Sequence, residues 1–218
     1  MSRIPPDAIL VLLSNLDSGA PSLEGGIWIL RKRRILLFET AKIPDGEAFS
    51  QGVPTPPVLQ GADVRLCDLR RETAATLERR LASADVCLIA GGNTFFLLAH
   101  AGPLDGVLRR RAEAGPLTVV GESAGALIFR TRIGHIAPMD DPGAAPDMPA
   151  DAPGLGWIPW RVLPHLGSQD RFGPIASAIL AQDPAPDTLL PIAEGEVRIF
   201  RGPESGRQSG RAPWRPAP

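Results

Sequence analysis

Short apolar runs recur along residues 9–120 and alternate with segments whose apolar residues follow a helical spacing. Leu77 and Leu81, for example, lie one turn apart in a helix predicted over residues 73–83. Strands that alternate with helices are typical of an α/β fold, in which helices cover both faces of a mostly parallel sheet. The runs that predict buried strands are Ile9–Leu13, Ile35–Phe38, Val64–Cys67, Val86–Ile89 and Leu117–Val120.

The second half of the chain has a less regular pattern. Residues 131–160 are rich in proline, aspartate and glycine. They predict a long loop. Loops of this length are often functional, and this one is long enough to act as a lid. The remaining apolar segments predict a short strand, a helix and two more strands, at Val162-Leu163, residues 172–181, Leu189–Ile192 and Val197–Phe200.

One α/β domain suits a chain of 218 residues, and we place it at residues 1–202. Residues 203–218 are polar and proline-rich and predict a disordered tail. Within the domain, residues 22–33 are expected to hold a short helix, weakened by a pair of adjacent glycines. The prolines within residues 43–61 predict a loop there.

The charges of the chain argue against nucleic acid or an anionic membrane as a partner. The 23 basic and 24 acidic side chains give a net charge of −1, which provides no long-range attraction to phosphates. The runs Arg31–Arg34 and Arg109–Arg111 are short enough to be solvated faces. No apolar run reaches the roughly 20 residues that span a bilayer. No signal peptide is recognisable, so we expect a cytoplasmic protein.

The two cysteines, Cys67 and Cys87, lie in runs predicted as strands. This position favours buried, reduced thiols over a disulfide. The sequence has no Cys-x-x-Cys motif and no cluster of histidines and cysteines. We therefore expect no structural zinc site.

A serine is centred in the pentapeptide Gly121-Glu122-Ser123-Ala124-Gly125, between the fifth predicted strand and a helix that starts with small residues. At such a bend the serine hydroxyl is exposed at the carboxyl end of the strand, and the glycines remove Cβ atoms that would clash. The pattern favours Ser123 as a nucleophile. The alternative is an ordinary strand-to-helix turn in which Ser123 caps the helix.

A second glycine-rich turn, Gly91-Gly92-Asn93-Thr94, follows the fourth predicted strand. Because active sites of parallel sheets lie outside the carboxyl ends of the strands, this turn and Ser123 are expected on the same edge. Candidate oxyanion donors are the N–H of Ala124, by its position, and an amide of the Gly91-Gly92 turn. A phosphate cradle is the rival interpretation, but the turn lacks the third glycine of a dinucleotide fingerprint and the Lys-Ser/Thr of a P-loop.

A serine nucleophile needs a neighbouring base, and the chain has 3 histidines. His100 follows a predicted helix and is expected on its surface, whereas His135 lies in a loop or a short strand. His165 follows a short strand and a proline, at a position that presents a side chain at a sheet edge. We therefore favour His165 as the base. The alternative for each histidine is a surface or core residue without a catalytic role.

The base in turn needs an acidic residue that fixes its tautomer. Glu194 is a candidate, because it lies between two predicted strands and next to a glycine. Asp140 and Asp141 in the long loop are others. Glu122 is next to the nucleophile, where its side chain can point away from it.

These motifs occur in an order that resembles the peptidase E family, which includes the aspartyl dipeptidases and, more distantly, cyanophycinase. The resemblance covers about residues 9–200 and rests on Leu12–Asn15, Gly91–Phe95, Gly121–Ala126, Pro164-His165 and Glu194-Gly195. It implies the flavodoxin-like α/β fold of the class I glutamine amidotransferase superfamily, with serine in place of that superfamily's cysteine. It also implies a serine peptidase that cleaves small peptides after an N-terminal aspartate through an acyl-enzyme.

The resemblance assigns catalytic roles to particular residues. Ser123 is similar to the nucleophile of the family, His165 to the base and Glu194 to the acid. The backbone N–H groups of Gly92 and Ala124 would form the oxyanion hole. A serine hydrolase of this kind implies neither a metal nor a cofactor.

The resemblance also implies residues that contact the substrate. Asn93 lies in one of the shared motifs, and Asp141 resembles an aspartate that the family places near the site. Family members place arginines that grip the substrate carboxylate shortly after the base. Arg171 is the candidate here, because a guanidinium fork matches a carboxylate.

Two other functions stay open from the sequence. The same fold could serve a binding or scaffold protein without catalysis. An α/β-hydrolase esterase orders its triad as serine, acid, histidine. It would need an acid from Asp140–Asp151 and would leave Gly91–Thr94 without a role. We expect a small peptide as the substrate and neither nucleic acid nor a membrane as a partner. The oligomeric state that we consider is a homodimer.

Overall fold

The computed structural model describes residues 4–19, 30 and 32–202, and its strands form two sheets. The strands are β1 (Ala8–Leu13), β2 (Arg34–Phe38), β3 (Asp63–Cys67), β4 (Val86–Ile89), β5 (Leu117–Glu122), β6 (Arg161–Leu166), β7 (Leu189–Ala193) and β8 (Val197–Arg201). The larger sheet has six strands in the order β3-β2-β4-β5-β1-β8, and its neighbours are parallel except β1 and β8. The smaller sheet pairs β6 with β7 in parallel.

Helices connect the strands, and side-chain caps fix where two of them begin. The helices are α1 (Leu16–Gly19), α2 (Ala74–Ala82), α3 (Thr94–His100), α4 (Leu104–Glu113), α5 (Ala124–Leu127) and α6 (Phe172–Gln182). The Thr73 hydroxyl accepts the N–H of Thr76 at 3.2 Å at the start of α2. The Asn93 side chain accepts the N–H of Phe96 at 2.9 Å at the start of α3. Each cap satisfies a backbone donor that lacks an intrahelical acceptor.

Alternate residues of the central strands face opposite sides of the sheet and enter two separate cores. Leu10 and Leu12 are buried with apolar residues of α2 to α6, whereas Val11 and Leu13 belong to the other core. That second face is covered by α1 and by a 3₁₀ turn at Pro57–Leu59. The proline-rich segment before β3 thus forms tight turns, because proline cannot continue a helix.

The structure confirms an α/β fold with a mostly parallel sheet and helices on both faces. The strands that flank Glu194 exist as predicted, but they do not pair with each other. β7 lies beside β6 in the smaller sheet, and β8 forms the antiparallel edge of the larger one. An apolar alternation identifies a strand but leaves its partner to the tertiary packing.

Residues 131–160 form a long connection, as predicted, and it is anchored to the core. It contains 3₁₀ turns at Gly134–Ile136 and Pro142–Ala144. Ile133 and Trp157 within it are fully buried. The predicted tail and most of the predicted helix over residues 22–33 lie outside the described residues. Among the described segments, no helix combines the length and apolarity that crossing a membrane requires.

The sheet topology singles out one crevice at the carboxyl ends of the strands. β2 leads to β3 on one side, whereas the adjacent β4 leads to β5 on the other. Ligands of open parallel sheets bind where such neighbouring connections diverge. The crevice lies between the chain after Phe38 and the chain after Ile89, and Ser123 follows the next strand.

Candidate active site

Ser123 lies in a strained turn between β5 and α5. Its φ of 47° and ψ of −109° are a combination that residues with a Cβ atom rarely adopt. Close packing explains the flanking glycines, since a Cβ atom on Gly121 would lie 2.4 Å from the carbonyl oxygen of Gly125. A Cβ atom on Gly125 would lie 2.1 Å from the carbonyl oxygen of Ile89. The pentapeptide therefore holds its serine in the bend typical of nucleophiles.

The hydroxyl oxygen of Ser123 lies 2.7 Å from Nε2 of His165, within hydrogen-bond distance. Within the described part of the chain, the Ser123 side chain makes no capping bond to α5. His165 is 7% exposed and also has a positive φ, of 65°. Strained backbone of this kind persists where the surrounding structure enforces it, and it clusters at functional sites.

Glu194 faces the other nitrogen of the imidazole. Its Oε2 lies 3.6 Å from Nδ1 of His165, an ion-pair contact longer than a hydrogen bond. The N–H of Glu194 donates to the carbonyl of Leu166 at 3.0 Å, so the acid is tied to the strand of the base. Phe172, the first residue of α6, stacks on the imidazole with ring centroids 4.9 Å apart. The ring is thus contacted at both nitrogens and on one face.

The carboxylates of Asp140 and Asp141 make other contacts. Asp140 accepts the N–H of Thr94 at 2.9 Å and also the hydroxyl of that residue. Burial raises the pKa of Asp140, and the bonds from Thr94 oppose the rise. Asp141 accepts the N–H of Gly143 at 2.8 Å. Within the described residues, Glu194 is the carboxylate in ion-pair contact with His165.

Glu122 holds the glycine-rich turn beside the nucleophile. A Cβ atom on Gly91 would lie 3.1 Å from Cβ of Ser123, so the two segments are in close contact. One carboxylate oxygen of Glu122 accepts the N–H of Gly91 at 3.1 Å, and the other accepts the N–H of Leu16 at 2.9 Å. The side chain therefore bridges two backbone segments and, as expected from its position, points away from Ser123.

The backbone of Gly92 requires glycine. Its φ is 128°, and a Cβ atom there would lie 2.2 Å from the carbonyl oxygen of Ala41. The N–H of the next residue, Asn93, donates to that same carbonyl at 2.8 Å. Ala124 is the first residue of α5, so its N–H has no acceptor within the helix. The N–H groups of Gly92 and Ala124 thus stay the candidates for an oxyanion hole beside Ser123, whereas the N–H of Gly91 is bonded to Glu122.

The three predicted substrate-binding residues all line the cleft. Asn93 is 6% exposed and, besides capping α3, donates from its side chain to the carbonyl of Asp141 at 2.9 Å. Asn93 and Asp141 thus join two segments of one wall. Arg171 is exposed, and its guanidinium lies 4.7 Å from the ring centroid of Phe172.

The cleft around Ser123 and His165 has a volume of about 1000 Å³. Lys42 and Arg171 are the lysine and arginine among its described lining residues. Nζ of Lys42 lies 4.0 Å from Oε2 of Glu47. Lys42 follows Ala41, whose carbonyl contacts the Gly91-Gly92 turn, so its backbone is adjacent to the candidate oxyanion hole. The two cations share this cleft with the carboxylates of Asp45, Glu47, Glu122, Asp140, Asp141 and Asp170, so its described lining is mostly acidic.

The other two histidines lie away from the described lining of the cleft. His135 contacts the Arg130 side chain, and its Nε2 lies 2.7 Å from the carbonyl oxygen of Val162. Burial, reinforced by the charge of Arg130, lowers the pKa of His135 to about 4. His100 ends α3 and packs edge-on against Phe96.

The thiols and potential metal ligands offer no second centre in the described segments. Cys67 and Cys87 are buried and free, as predicted. Burial raises the pKa of Cys67 to about 12 and that of Cys87 well above its usual value, so both stay protonated. No group of three or more His, Cys, Asp or Glu side chains in these segments is arranged to hold a metal ion.

Sequence reasoning missed the roles of Ser14, Lys42 and Phe172 at this site. Ser14 is a polar residue at the carboxyl end of the first parallel strand, which is a signal that could have been used. The sequence predicts a helix that begins at Phe172 but does not indicate the direction of its side chain. Helical spacing alone does not show which residue contacts a histidine. Lys42 lies among prolines and glycines, where no periodic pattern indicates an orientation.

Comparisons with known proteins agree with this architecture. The family model of peptidase family S51 matches residues 40–205. An uncharacterized peptidase from Pasteurella multocida is 29% identical over 187 residues, which cover 81% of this chain and 89% of the relative. An uncharacterized peptidase from Listeria monocytogenes is 30% identical over 146 residues, which cover 66% of this chain and 70% of the relative.

Two solved structures share the fold of this chain. A crystal structure from Listeria monocytogenes, described as a candidate peptidase E protein, matches with a TM-score of 0.76 and 26% identity. The match covers 90% of this chain and 96% of that one. A peptidase from an acI-B1 actinobacterium shares the fold, with a TM-score of 0.55 and 19% identity. The family match spans more than half of the chain and includes Ser123, His165 and Glu194, so the chain belongs to peptidase family S51, the peptidase E family, and is a peptidase of that kind.

Proposed function

We propose that the protein is a serine peptidase that hydrolyses small peptides after an N-terminal aspartate through an acyl-enzyme. One observation carries the proposal: the hydroxyl of Ser123, held in a strained turn, lies 2.7 Å from Nε2 of His165. A nucleophile and a base within hydrogen-bond distance, with the base oriented by an acid, are the signature of covalent acyl transfer.

Acylation begins when Oγ of Ser123 attacks the peptide carbonyl and its proton passes to Nε2 of His165. The carboxylate of Glu194, 3.6 Å from Nδ1, stabilises the imidazolium that forms. The carbonyl oxygen becomes an oxyanion and accepts hydrogen bonds from the N–H groups of Gly92 and Ala124. The intermediate collapses as His165 returns the proton to the leaving amine, and the aspartyl group stays on Ser123 as an ester.

Deacylation repeats these steps with water. His165 removes a proton from a water molecule, which attacks the ester carbonyl, and the oxyanion again lies at the N–H groups of Gly92 and Ala124. Collapse transfers the proton from His165 to Oγ of Ser123 and releases free aspartate. The buried setting of His165 favours this transfer, because a low dielectric strengthens the interactions that stabilise the charged intermediate.

The preference for aspartate is supported by two cationic side chains, Lys42 and Arg171, in a cleft whose other charged lining residues are mostly carboxylates. Lys42 lies in the segment after β2, and Arg171 immediately precedes α6. A guanidinium forms two parallel hydrogen bonds to a carboxylate, and an ammonium attracts it as a point charge. Lys42 and Lys32 are the only lysines of the chain. The exposed Lys32 is therefore a matched control for the removal of the cleft lysine.

A serine-reactive fluorophosphonate tests the mechanism. The wild-type protein should gain one phosphonyl group on Ser123, located by mass spectrometry of its peptides, and the Ser123→Ala variant should gain none. An unmodified Ser123 in a folded wild-type protein would refute the serine mechanism.

A pair of dipeptides that differ only in charge tests the specificity. Asp-Leu should be cleaved with a kcat/KM about 10²-fold higher than Asn-Leu, because the amide leaves a cation of the cleft without its partner. The Lys42→Met variant should narrow this ratio, whereas Lys32→Met should leave it unchanged. Equal cleavage of both dipeptides by a reactive enzyme would refute the aspartate preference and leave the serine mechanism standing.

A further inference from the structure

A buried serine at the end of β1 contacts the segments that carry the base and the acid. Ser14 is 1% exposed and directly follows β1. Its hydroxyl donates to the carbonyl of Ile192 at 2.9 Å and accepts the N–H of His165 at 2.9 Å. Both contacts are to backbone atoms, so the hydroxyl acts on the position of these segments and takes no part in proton transfer.

The pairing of β6 with β7 is interrupted at His165. Between Leu163 and Leu166, two residues of β6 face one residue of β7, which is Ile192. Such a β-bulge leaves backbone groups without partners in the ladder. The Ser14 hydroxyl supplies a partner to both groups at this point, the N–H of His165 and the carbonyl of Ile192. Bulges next to active sites re-aim side chains, and this one carries the imidazole.

Leu13, the last residue of β1, holds the backbone of the nucleophile. The carbonyl of Leu13 accepts the N–H of Ser123 at 2.9 Å. Consecutive residues at the end of β1 therefore fix the backbone of the nucleophile and the backbone of the base. β1 is paired on both sides, with β5 and with β8, so its end is a rigid reference point.

We propose that Ser14 is a positioning residue that sets the distance between Oγ of Ser123 and Nε2 of His165. Through β7 it also positions Glu194, which lies two residues after Ile192. The inference rests on the serine mechanism proposed above. Misplacement of a reacting group by about 1 Å reduces a rate by about 10²-fold. Loss of the hydroxyl should therefore lower kcat more than it raises KM.

The Ser14→Ala and Ser14→Cys variants test this role. We expect kcat for Asp-Leu and the rate constant of fluorophosphonate labelling to fall by about 10-fold to 10²-fold in both variants, with KM changed by less than about threefold. Cysteine fills the space of serine but bonds weakly, so it separates hydrogen bonding from packing. The control is Ser83→Ala, which removes a hydroxyl bond of 3.1 Å to the carbonyl of Arg80 at the end of α2. Ser83→Ala should keep the wild-type rates.

Rates are compared at a temperature where circular dichroism shows each variant to be folded. If Ser14→Ala does not fold, the rates of Ser14→Cys test the positioning role. Folded Ser14 variants that are labelled at the wild-type rate would overturn this inference alone. A rise in KM with unchanged kcat would overturn it as well, because the hydroxyl would then affect binding. An unreactive wild-type Ser123 would overturn the proposed mechanism and this inference together.

Discussion

The nucleophile and the base reach the same cleft from regions that are built differently. Ser123 lies in a continuous unit in which β5, the bend and α5 are adjacent in sequence. The glycines that make the bend possible pack against the unit itself and against the neighbouring β4. The geometry of the nucleophile is therefore largely a local property of the sequence.

His165 lies on a two-stranded sheet that is separate from the six-stranded one, and Glu194 directly follows the other strand of that sheet. Their region is attached to the end of β1 through Ser14, which is 151 residues from His165 and 178 residues from Ile192. Long-range contacts thus place the base, whereas the nucleophile is held by the strained local turn together with the hydrogen bond from its N–H to Leu13. Substitutions in the two regions should accordingly differ in how they reduce activity.

The largest effect is expected when either partner of the central contact is removed. Ser123→Ala, His165→Ala and the double variant should each lower kcat by about 10⁴-fold to 10⁶-fold. The double variant should be no slower than the single ones, because the two residues act as one unit. Kinetics with Asp-Leu measure this, and thermal unfolding confirms the folded state. Effects that multiply in the double variant would show two regions that work independently.

A smaller effect is expected from the acid. Glu194→Gln removes the negative charge 3.6 Å from Nδ1 of His165 and should lower kcat by about 10²-fold to 10⁴-fold. Asp140→Asn is the control, because that carboxylate is bonded to Thr94, and it should stay within about 10-fold of wild type. A larger loss of kcat for Asp-Leu in Asp140→Asn than in Glu194→Gln would show that the acid of the triad lies in the long loop.

The oxyanion turn should respond to a single methyl group. In Gly92→Ala the new Cβ atom would meet the carbonyl oxygen of Ala41 at 2.2 Å, so the turn must shift. Displacement of one oxyanion donor lowers kcat by about 10²-fold to 10³-fold. Gly102→Ala adds a methyl group where no atom lies within 4 Å and should leave kcat unchanged. Equal kcat values in the two variants would remove this turn from the mechanism.

The smallest effect concerns the stability of the region that carries the base. His135, beside β6, has a pKa of about 4 in the folded chain because it is buried, against about 6.5 when unfolded. Between these values only the unfolded chain binds the proton, so the free energy of unfolding falls as pH drops from about 6.5 to 4, by at most about 1.4 kcal/mol per pH unit.

Urea unfolding across this pH range checks the stability prediction. His135→Gln should flatten the acid dependence, whereas His100→Gln, at the end of α3, should keep most of it. An unchanged acid slope in the His135→Gln variant would contradict the prediction.

Sequence reasoning reached further in the first region than in the second. The apolar runs predicted the parallel strands, the spacing of Leu77 and Leu81 predicted α2, and the glycine motifs predicted the turns around Ser123 and Gly92. For the second region, the choice of His165 and Glu194 came from their positions next to predicted strands and from the family resemblance. Their approach to one another, and the roles of Ser14 and Phe172, depend on contacts between segments that no local pattern links.

The amino-acid sequence by itself indicated the strands, the glycine turns and the bend at Ser123, because apolar runs and glycines that remove a Cβ atom are visible along the chain. The tertiary structure alone decided that β7 lies beside β6, that β8 lies beside β1, and that Ser14 enters the bulge at His165. Strand pairing and buried hydrogen bonds depend on which segments the packed core brings together, and that outcome belongs to the whole chain.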